Sequence, residues 1–411
     1  MEQINRNRLF IASCFALITT AFAFALRAGI MGDLTTEMGL SNIKLGWINF
    51  MGTFGFPIAT LLGGPMYNTL GPKKLGWIAL ICHFLGITFT ILSGSFYPLF
   101  FSTFFISFGN GMVEAAFNPL ITDMYPENKS TMLNKFHVWF PGGLALGALI
   151  AYAIDAFNGS WQLKIAAMYV PMVIYAVMFL GQEFPKTQNE LGKASTGENL
   201  KAIFSSPLYW LMLVCMTLTA TTELGTQGWV EKIIGNMSGS NPMLVLALIT
   251  SIMAFGRYFA GPIIHKLNIT GVLLVSAIIS TIAIGLLSTA TGGMVYVYAV
   301  LFAIGVCYFW PNMIAFVAEY FPKTGALGMS LIGGIGMVGI SIFNPIIGSW
   351  LDAEKSKALS MGISDKAAEL AAGQATLDNI AILPGILVVV FGALFLMRKK
   401  LKPAVQTASS H

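Results

Sequence analysis

Twelve long apolar runs constrain this chain more than any other feature. They cover 9–34, 44–66, 74–93, 96–122, 132–154, 162–182, 207–226, 244–265, 270–290, 293–320, 326–350 and 377–397. A helix needs about 20 apolar residues to cross a bilayer, and each run meets that length. The runs are too long, and too little alternating, for the strands of a membrane β-barrel. The sequence therefore predicts an all-α membrane protein with twelve transmembrane helices. The first run follows Arg6 and Arg8 in the manner of a secretion signal. Its small-residue triplet, Ala21-Phe22-Ala23, lies inside the apolar stretch rather than after it, so the run is expected to stay as a helix. Charged residues make up only 10% of the 411, against about 25% in soluble domains. With 56% hydrophobic residues, that excludes a soluble enzyme and a disordered chain. The net charge of +5 is scattered rather than clustered, which excludes a nucleic-acid surface.

Cytoplasmic loops of membrane proteins carry the excess of Lys and Arg. Placing both termini in the cytoplasm puts fifteen such residues in the inner segments and six outside, so that orientation is expected, in a plasma (inner) membrane. Trp47, Trp161, Trp229 and Trp350 would then form an outer aromatic belt, with Trp77 and Trp210 on the inner side. A polar segment near the middle divides the chain into a six-helix bundle (1–182), a cytoplasmic linker (183–206), a second six-helix bundle (207–397) and a cytoplasmic tail (398–411). The stretch 352–378 reads as an outer loop with a short Ala-rich surface helix, and the residues after Pro403 as disordered.

The halves look like copies of one another. Gly64-Pro65 after the second run recurs as Gly261-Pro262 after the eighth, 197 residues on. Asp123-Met124-Tyr125-Pro126 recurs as Glu319-Tyr320-Phe321-Pro322, 196 residues on. Two agreeing offsets, each equal to six spans, point to duplication. Parallel six-helix halves joined by an inner loop resemble the major facilitator superfamily. That resemblance implies a solute site between the halves near the middle of the membrane. The superfamily's loop G-x-x-x-D-R-x-G-R-K is eroded here: Gly64, Gly71, Lys73 and Lys74 remain, while Asn68 and Thr69 stand where Asp and Arg are usual.

An ionisable residue at membrane depth is expensive and needs a partner, water or a function. The candidates are Arg27, His83, Glu114, His137, Glu223 and Arg257. Glu114 lies in the run Gly109-Asn110-Gly111-Met112-Val113-Glu114-Ala115-Ala116-Phe117-Asn118-Pro119. Asn118 is one turn further along the same helical face, and Pro119 frees a carbonyl that lipid cannot satisfy. Burial disfavours the charged form of a carboxyl, which makes Glu114 a candidate to bind and release a proton, or else a neutral hydrogen-bonded structural residue. Next come Leu133, Asn134, His137 and, in a glycine-rich turn, Gly142-Gly143. This E-x-x-x-N-P, then L-N, His and glycine pattern resembles the fucose–galactose–glucose:proton symporter branch of the superfamily. The resemblance implies that Glu114 lines the cavity and takes part in proton coupling; Asn110, Asn118 and His137 are candidate solute contacts. It departs in the first helix, where the branch carries an acid and this chain has Arg27.

Arg27 could grip an anionic solute through its planar fork. It could also pair with Glu223, 196 residues later and its counterpart in the other half, to close the outer side. His137 reads equally as a proton partner or a residue bonded to nearby backbone. His83 reads as structural, and Arg257 as a snorkelling or interface cation. Trp139 and Trp310, with Phe140, could face sugar C–H groups or an aromatic ligand, or simply pack. Gln227 and Asn344 could add hydrogen bonds.

No phosphate-cradling motif is present, no grouping of metal-ligand spacing, and no cofactor is implied; Cys14, Cys82, Cys215 and Cys307 each sit alone. The fifth helix also lacks the G-P-x-x-G-G signature of drug:proton antiporters. The expected function is secondary active transport, not catalysis: proton-coupled uptake of a sugar or related small polar solute by a monomer. The alternative is an organic anion (a carboxylate or sugar acid) held at Arg27. A membrane sensor of the same fold is a third class. The solute, the direction, sodium as coupling ion, and symport against uniport or antiport stay open at this level.

Overall fold

In the computed structural model the described residues are 4–125, 132, 135–185, 196–239 and 241–401. Leu133, Asn134, residues 186–195 of the expected linker and the tail after Leu401 lie outside them. The described chain is helical, with no strand. Eleven helices are long and apolar enough to cross a membrane: Arg6–Ala28, Asn42–Gly64, Thr69–Ile91, Phe96–Ile121, Lys135–Ala156, Trp161–Phe179, Pro207–Gly228, Lys266–Leu287, Met294–Val317, Ser330–Ser360 and Asp365–Leu396. The twelfth, eighth in order, is the shorter Pro242–Tyr258, which breaks at Phe259 before continuing from Ala260. These are the twelve spans of the sequence, and the ordinals below refer to them. An even number of crossings puts both ends of the chain on one face, here the terminal face; the opposite face is the distal one.

The duplication is written into the backbone. The second and third spans are separated by Gly71, at φ 78 and ψ 164, and the eighth and ninth by Asn268, at φ 54 and ψ 170. These positions are 197 residues apart, the offset of the repeated Gly-Pro. Left-handed backbone costs glycine little, and asparagine tolerates it because its side chain bonds locally. Asn268 Oδ1 accepts from Gly271 N (3.0 Å) and Thr270 Oγ1 (2.7 Å), capping the helix that follows.

Several expectations are corrected. The stretch 352–378 is not an outer loop. The eleventh span runs on to Ser360 and the twelfth starts at Asp365, with a tight turn at left-handed Gly362 between them. Its Lys, Glu and Ala residues are good helix formers once outside the apolar layer. The first span ends at Ala28, and Met31–Met38 forms a separate short helix. Trp161 and Trp229 are not belt residues but fully buried. Trp161 Nε1 donates to Glu37 (3.1 Å) and Trp229 Nε1 to Asn344 Oδ1 (3.0 Å). Lys164, expected in an outer loop, is buried and bridges Asp33 (2.8 Å) and Asp155 while donating to Gly29 O (2.9 Å).

Candidate functional site

The fourth span positions the first group. Glu114 and Asn118, four residues apart on one helix, meet through Asn118 Nδ2, which donates to Glu114 Oε2. With the amide nitrogen committed to the carboxylate, Asn118 Oδ1 faces His137, whose Nε2 lies 3.0 Å away and so acts as the donor. His137 Nε2 is also 3.9 Å from Glu114 Oε2. The carboxylate is 16% exposed and the imidazole 41%, so this chain of three polar groups begins at an accessible edge and ends at a sheltered acid. The tight packing of small residues behind it explains its placement. A Cβ on Gly63 would collide with Ala115, and one on Gly111 with the backbone at Phe56.

An apolar cluster is shared by both halves. Leu224, Met337 and Ile340 from the seventh and eleventh spans pack with Phe24, Phe56 and Trp310. Phe140 joins it edge-on to Phe24 at 5.7 Å, whereas Trp139 points to an exposed surface.

Arg27 and Glu223 do not meet, which corrects the expected pair. Arg27 turns into its own half: Nε donates to Asn49 Oδ1 (2.9 Å), Nη1 to Gly52 O (2.8 Å), and the guanidinium lies 5.0 Å over the Phe24 ring. Glu223 instead pairs with Arg257, Nη2 to Oε1 at 2.9 Å, and Arg257 Nε donates to Cys307 O at the same distance. Arg257 is therefore no snorkelling cation. A lone Arg near a span end usually reaches for water, and only packing brings the seventh, eighth and tenth spans together. Two local breaks hold this geometry. The seventh span widens into a π-helical turn at Thr221–Gly225 around Glu223, and the tenth is interrupted at Cys307 and Tyr308 before Phe309–Tyr320. π-turns concentrate at functional sites.

Three other candidates lie elsewhere. Asn110 turns away from Glu114 into the core of the first half, 2.9 Å from His83 Nε2, and His83 Nδ1 is 3.2 Å from Tyr175 OH. Gln227 Nε2 donates to Met253 Sδ (3.3 Å) while its Oε1 is buried without a partner. Asn344 joins Trp229 and, at 3.5 Å, Thr53 on the distal side.

The distal side is closed by contacts between halves. Asp352 caps the start of the second span, accepting from Asn42 N (3.2 Å), Asn42 Nδ2 (2.9 Å) and Ile43 N (2.8 Å). Glu231 accepts from Gly32 N (2.9 Å), and Thr53 Oγ1 lies 2.8 Å from Ser341 Oγ. Backbones touch as well: a Cβ on Gly46 would sit 2.6 Å from Pro345 Cα. A cavity of about 140 Å³ remains in this seam, lined by Asn42, Lys232, Asp352, Lys355 and Glu369 among others.

Twelve helices in two repeated sets, meeting over a mixed polar and aromatic centre and sealed at one face, define a solute transporter rather than an enzyme. The chain belongs to the Major Facilitator Superfamily, whose family model matches residues 9–343. It is 22% identical over 365 residues to a protein of Bacillus subtilis (strain 168) named for niacin/nicotinamide transport, covering 84% of this chain and 88% of that one. It is 23% identical over 302 residues to the 3-(3-hydroxy-phenyl)propionate transporter of Escherichia coli (strain K12), covering 70% and 73%. Among solved structures it superposes on a D-xylose-proton symporter with a TM-score of 0.77 at 14% identity, covering 97% and 98%.

Proposed function

We propose that this protein takes up a small polar solute together with a proton by alternating access, with Glu114 as the proton-carrying group. The observation that carries this reading is the Glu114–Asn118–His137 chain, an acid at depth linked by hydrogen bonds to an accessible imidazole. A proton arriving at His137 has a hydrogen-bonded neighbour at each step, and neutralising Glu114 removes a charge that is costly to carry through an apolar layer. The termini are cytoplasmic in this reading, the membrane is a plasma or inner membrane, and the protein works as a monomer. Residues 1–182 and 207–397 rock about the shared aromatic cluster, and the sealed distal face makes this the inward-directed state. A sugar or related polyhydroxy solute is the first assignment: amide, carboxyl and imidazole suit hydroxyl groups, and Trp310 and Phe140 offer flat faces to C–H groups. The fold likeness to a D-xylose-proton symporter supports it.

The test is uptake into proteoliposomes carrying a trapped pH dye, with D-xylose, L-fucose and D-glucose as solutes. Solute-dependent acidification of the lumen is expected, lost in Glu114→Gln. Uptake without proton movement would refute the coupling, and binding without flux would indicate a sensor.

An organic acid is the second reading, favoured by the two relatives named for niacin/nicotinamide and hydroxyphenylpropionate transport. Arg27, the anion site expected from the sequence, already has its guanidinium committed to Asn49, Gly52 and Phe24.

A further inference from the structure

The second half of the molecule holds a charged pair that the proton reading of Glu114 does not use. Glu223 and Arg257 are joined by one hydrogen bond, and the pair is lopsided. Glu223 is 4% exposed, and its Oε2 is buried with no partner. Arg257 is 15% exposed, and its fork is only partly used, by Glu223 Oε1 and Cys307 O. A guanidinium built for bidentate recognition of carboxylates is thus held by a single carboxylate oxygen. One turn beyond Glu223, Gln227 Oε1 is a second buried oxygen with no donor. Leu224, the next residue after Glu223, belongs to the cluster of Phe24, Phe56 and Trp310 between the halves. The partner of the unsaturated cation is thus the immediate chain neighbour of a residue in the apolar, aromatic cluster between the halves.

We propose that Arg257 is the seat for the carboxylate of an organic-acid solute, and that Glu223, displaced from it, takes up the proton that travels with that solute. This rests on the transporter reading above and gives its organic-acid form a site. The exchange balances. The Arg257 Nη2–Glu223 Oε1 bond breaks, Arg257 bonds the solute carboxylate instead, and one proton from water binds the Glu223 carboxyl. The buried group is neutral before and after. A proton alone would leave Arg257 as an unpaired cation in the membrane, and a carboxylate alone would set two anions against one cation. Each costs far more than the paired event, so solute and proton enter together. The new O–H of Glu223 also supplies a donor one turn from the Gln227 oxygen, at a π-turn where the backbone can yield. The titratable and charged groups described around Glu223 are Arg257 from the eighth span and Cys307 and Tyr308 from the break in the tenth. Cys307 Sγ and Tyr308 OH are held by Met253 O and Gly256 O, and the eleventh span brings Ile347 beside Gly225.

The chemistry named is a carboxylate; its bearer is an aromatic acid or a sugar acid. Thermal shifts of the purified full chain distinguish these, using benzoate against benzamide and D-glucuronate against D-glucose at constant ionic strength. A ligand of the folded state raises the melting temperature by mass action. Stabilisation by one acid but not by its neutral counterpart is expected. Binding should tighten by about ten-fold per pH unit of acidification where Glu223 titrates, as uptake of one proton requires. Glu223→Gln should keep acid binding and lose that pH dependence, and Arg257→Gln should lose binding. Where Arg257→Gln fails to fold, the double variant Glu223→Gln/Arg257→Gln, which removes both charges, serves in its place. Equal stabilisation by the neutral counterparts, acid binding that survives without Arg257, or an unchanged pH dependence in Glu223→Gln would each overturn the proposal. So would tightening by sodium chloride in place of acid. Stabilisation by D-glucose alone would overturn it too, while leaving proton-coupled transport at Glu114 intact.

Discussion

At the scale of single residues, the contrast between Glu114 and Arg27 shows what a side chain's neighbours decide. Both were legible as costly charges at depth. Glu114 sits within a motif whose spacing alone sets Asn118 on its face, so its first partner followed from helical geometry. Arg27 has no such local partner, and its choice among Glu223, a solute and its own half depended on where Asn49 and Gly52 came to rest. Glu114→Gln keeps the shape and the bond to Asn118 while removing the titratable proton. Concentrative uptake in proteoliposomes should fall to background, with equilibrium exchange retained; a variant that still concentrates solute would refute the role. Gly32 offers a purely steric test. A Cβ there would run into the Glu231 carboxylate, so Gly32→Ala should separate the two and increase labelling of a distal cysteine probe by a membrane-impermeant thiol reagent.

At the scale of elements, the distal seal consists of two helix starts in the first half, each holding a carboxylate from the second. Unsatisfied N–H groups at a helix start favour an anion. Asp352 exploits this at the second span, and Glu231 accepts from Gly32 N at the start of Met31–Met38. Replacing Asp352 with Ala removes a cap worth about 1 kcal/mol and should shift the closed-to-open ratio by roughly five-fold on the RT scale, read by distance measurements between spin labels on the two halves. Glu231 adds a pH term. It lies beyond the end of the seventh span, and burial holds its carboxyl above the ordinary range, against the lowering effects of Gly32 N–H and Lys164. A group whose affinity for protons is higher in the closed seam than in open water favours closure as pH falls, and that advantage disappears as pH rises through the raised value. Acidification should therefore close the distal face, and Glu231→Gln should hold it closed regardless of pH. An opening on acidification would contradict this account.

At the scale of the whole molecule, the charge carried per cycle separates the two solute classes. A neutral sugar entering with one proton moves one positive charge, whereas a carboxylate entering with one proton moves none. Currents on solid-supported membranes should appear with D-xylose under the first reading. Under the second they should be absent with benzoate, despite measurable uptake. The duplication matters at this scale too. Equivalent turns at Gly71 and Asn268 give both halves the same frame, yet the charged residues they present differ: an acid with an amide and imidazole in one, an acid with a guanidinium in the other.

By itself the sequence determined the helical class, the twelve crossings, the repeat and the Glu114–Asn118 contact. Those depend on apolar run length and on separations of a few residues, which local geometry converts directly into structure. Only the tertiary structure decided that Arg257 rather than Arg27 meets Glu223, that Asn110 faces His83, that Trp161 and Trp229 are buried, and that Asp352 reaches across to the second span. Those partners are tens to hundreds of residues apart, and buried polar groups take whichever partner the packed helices bring within hydrogen-bond reach.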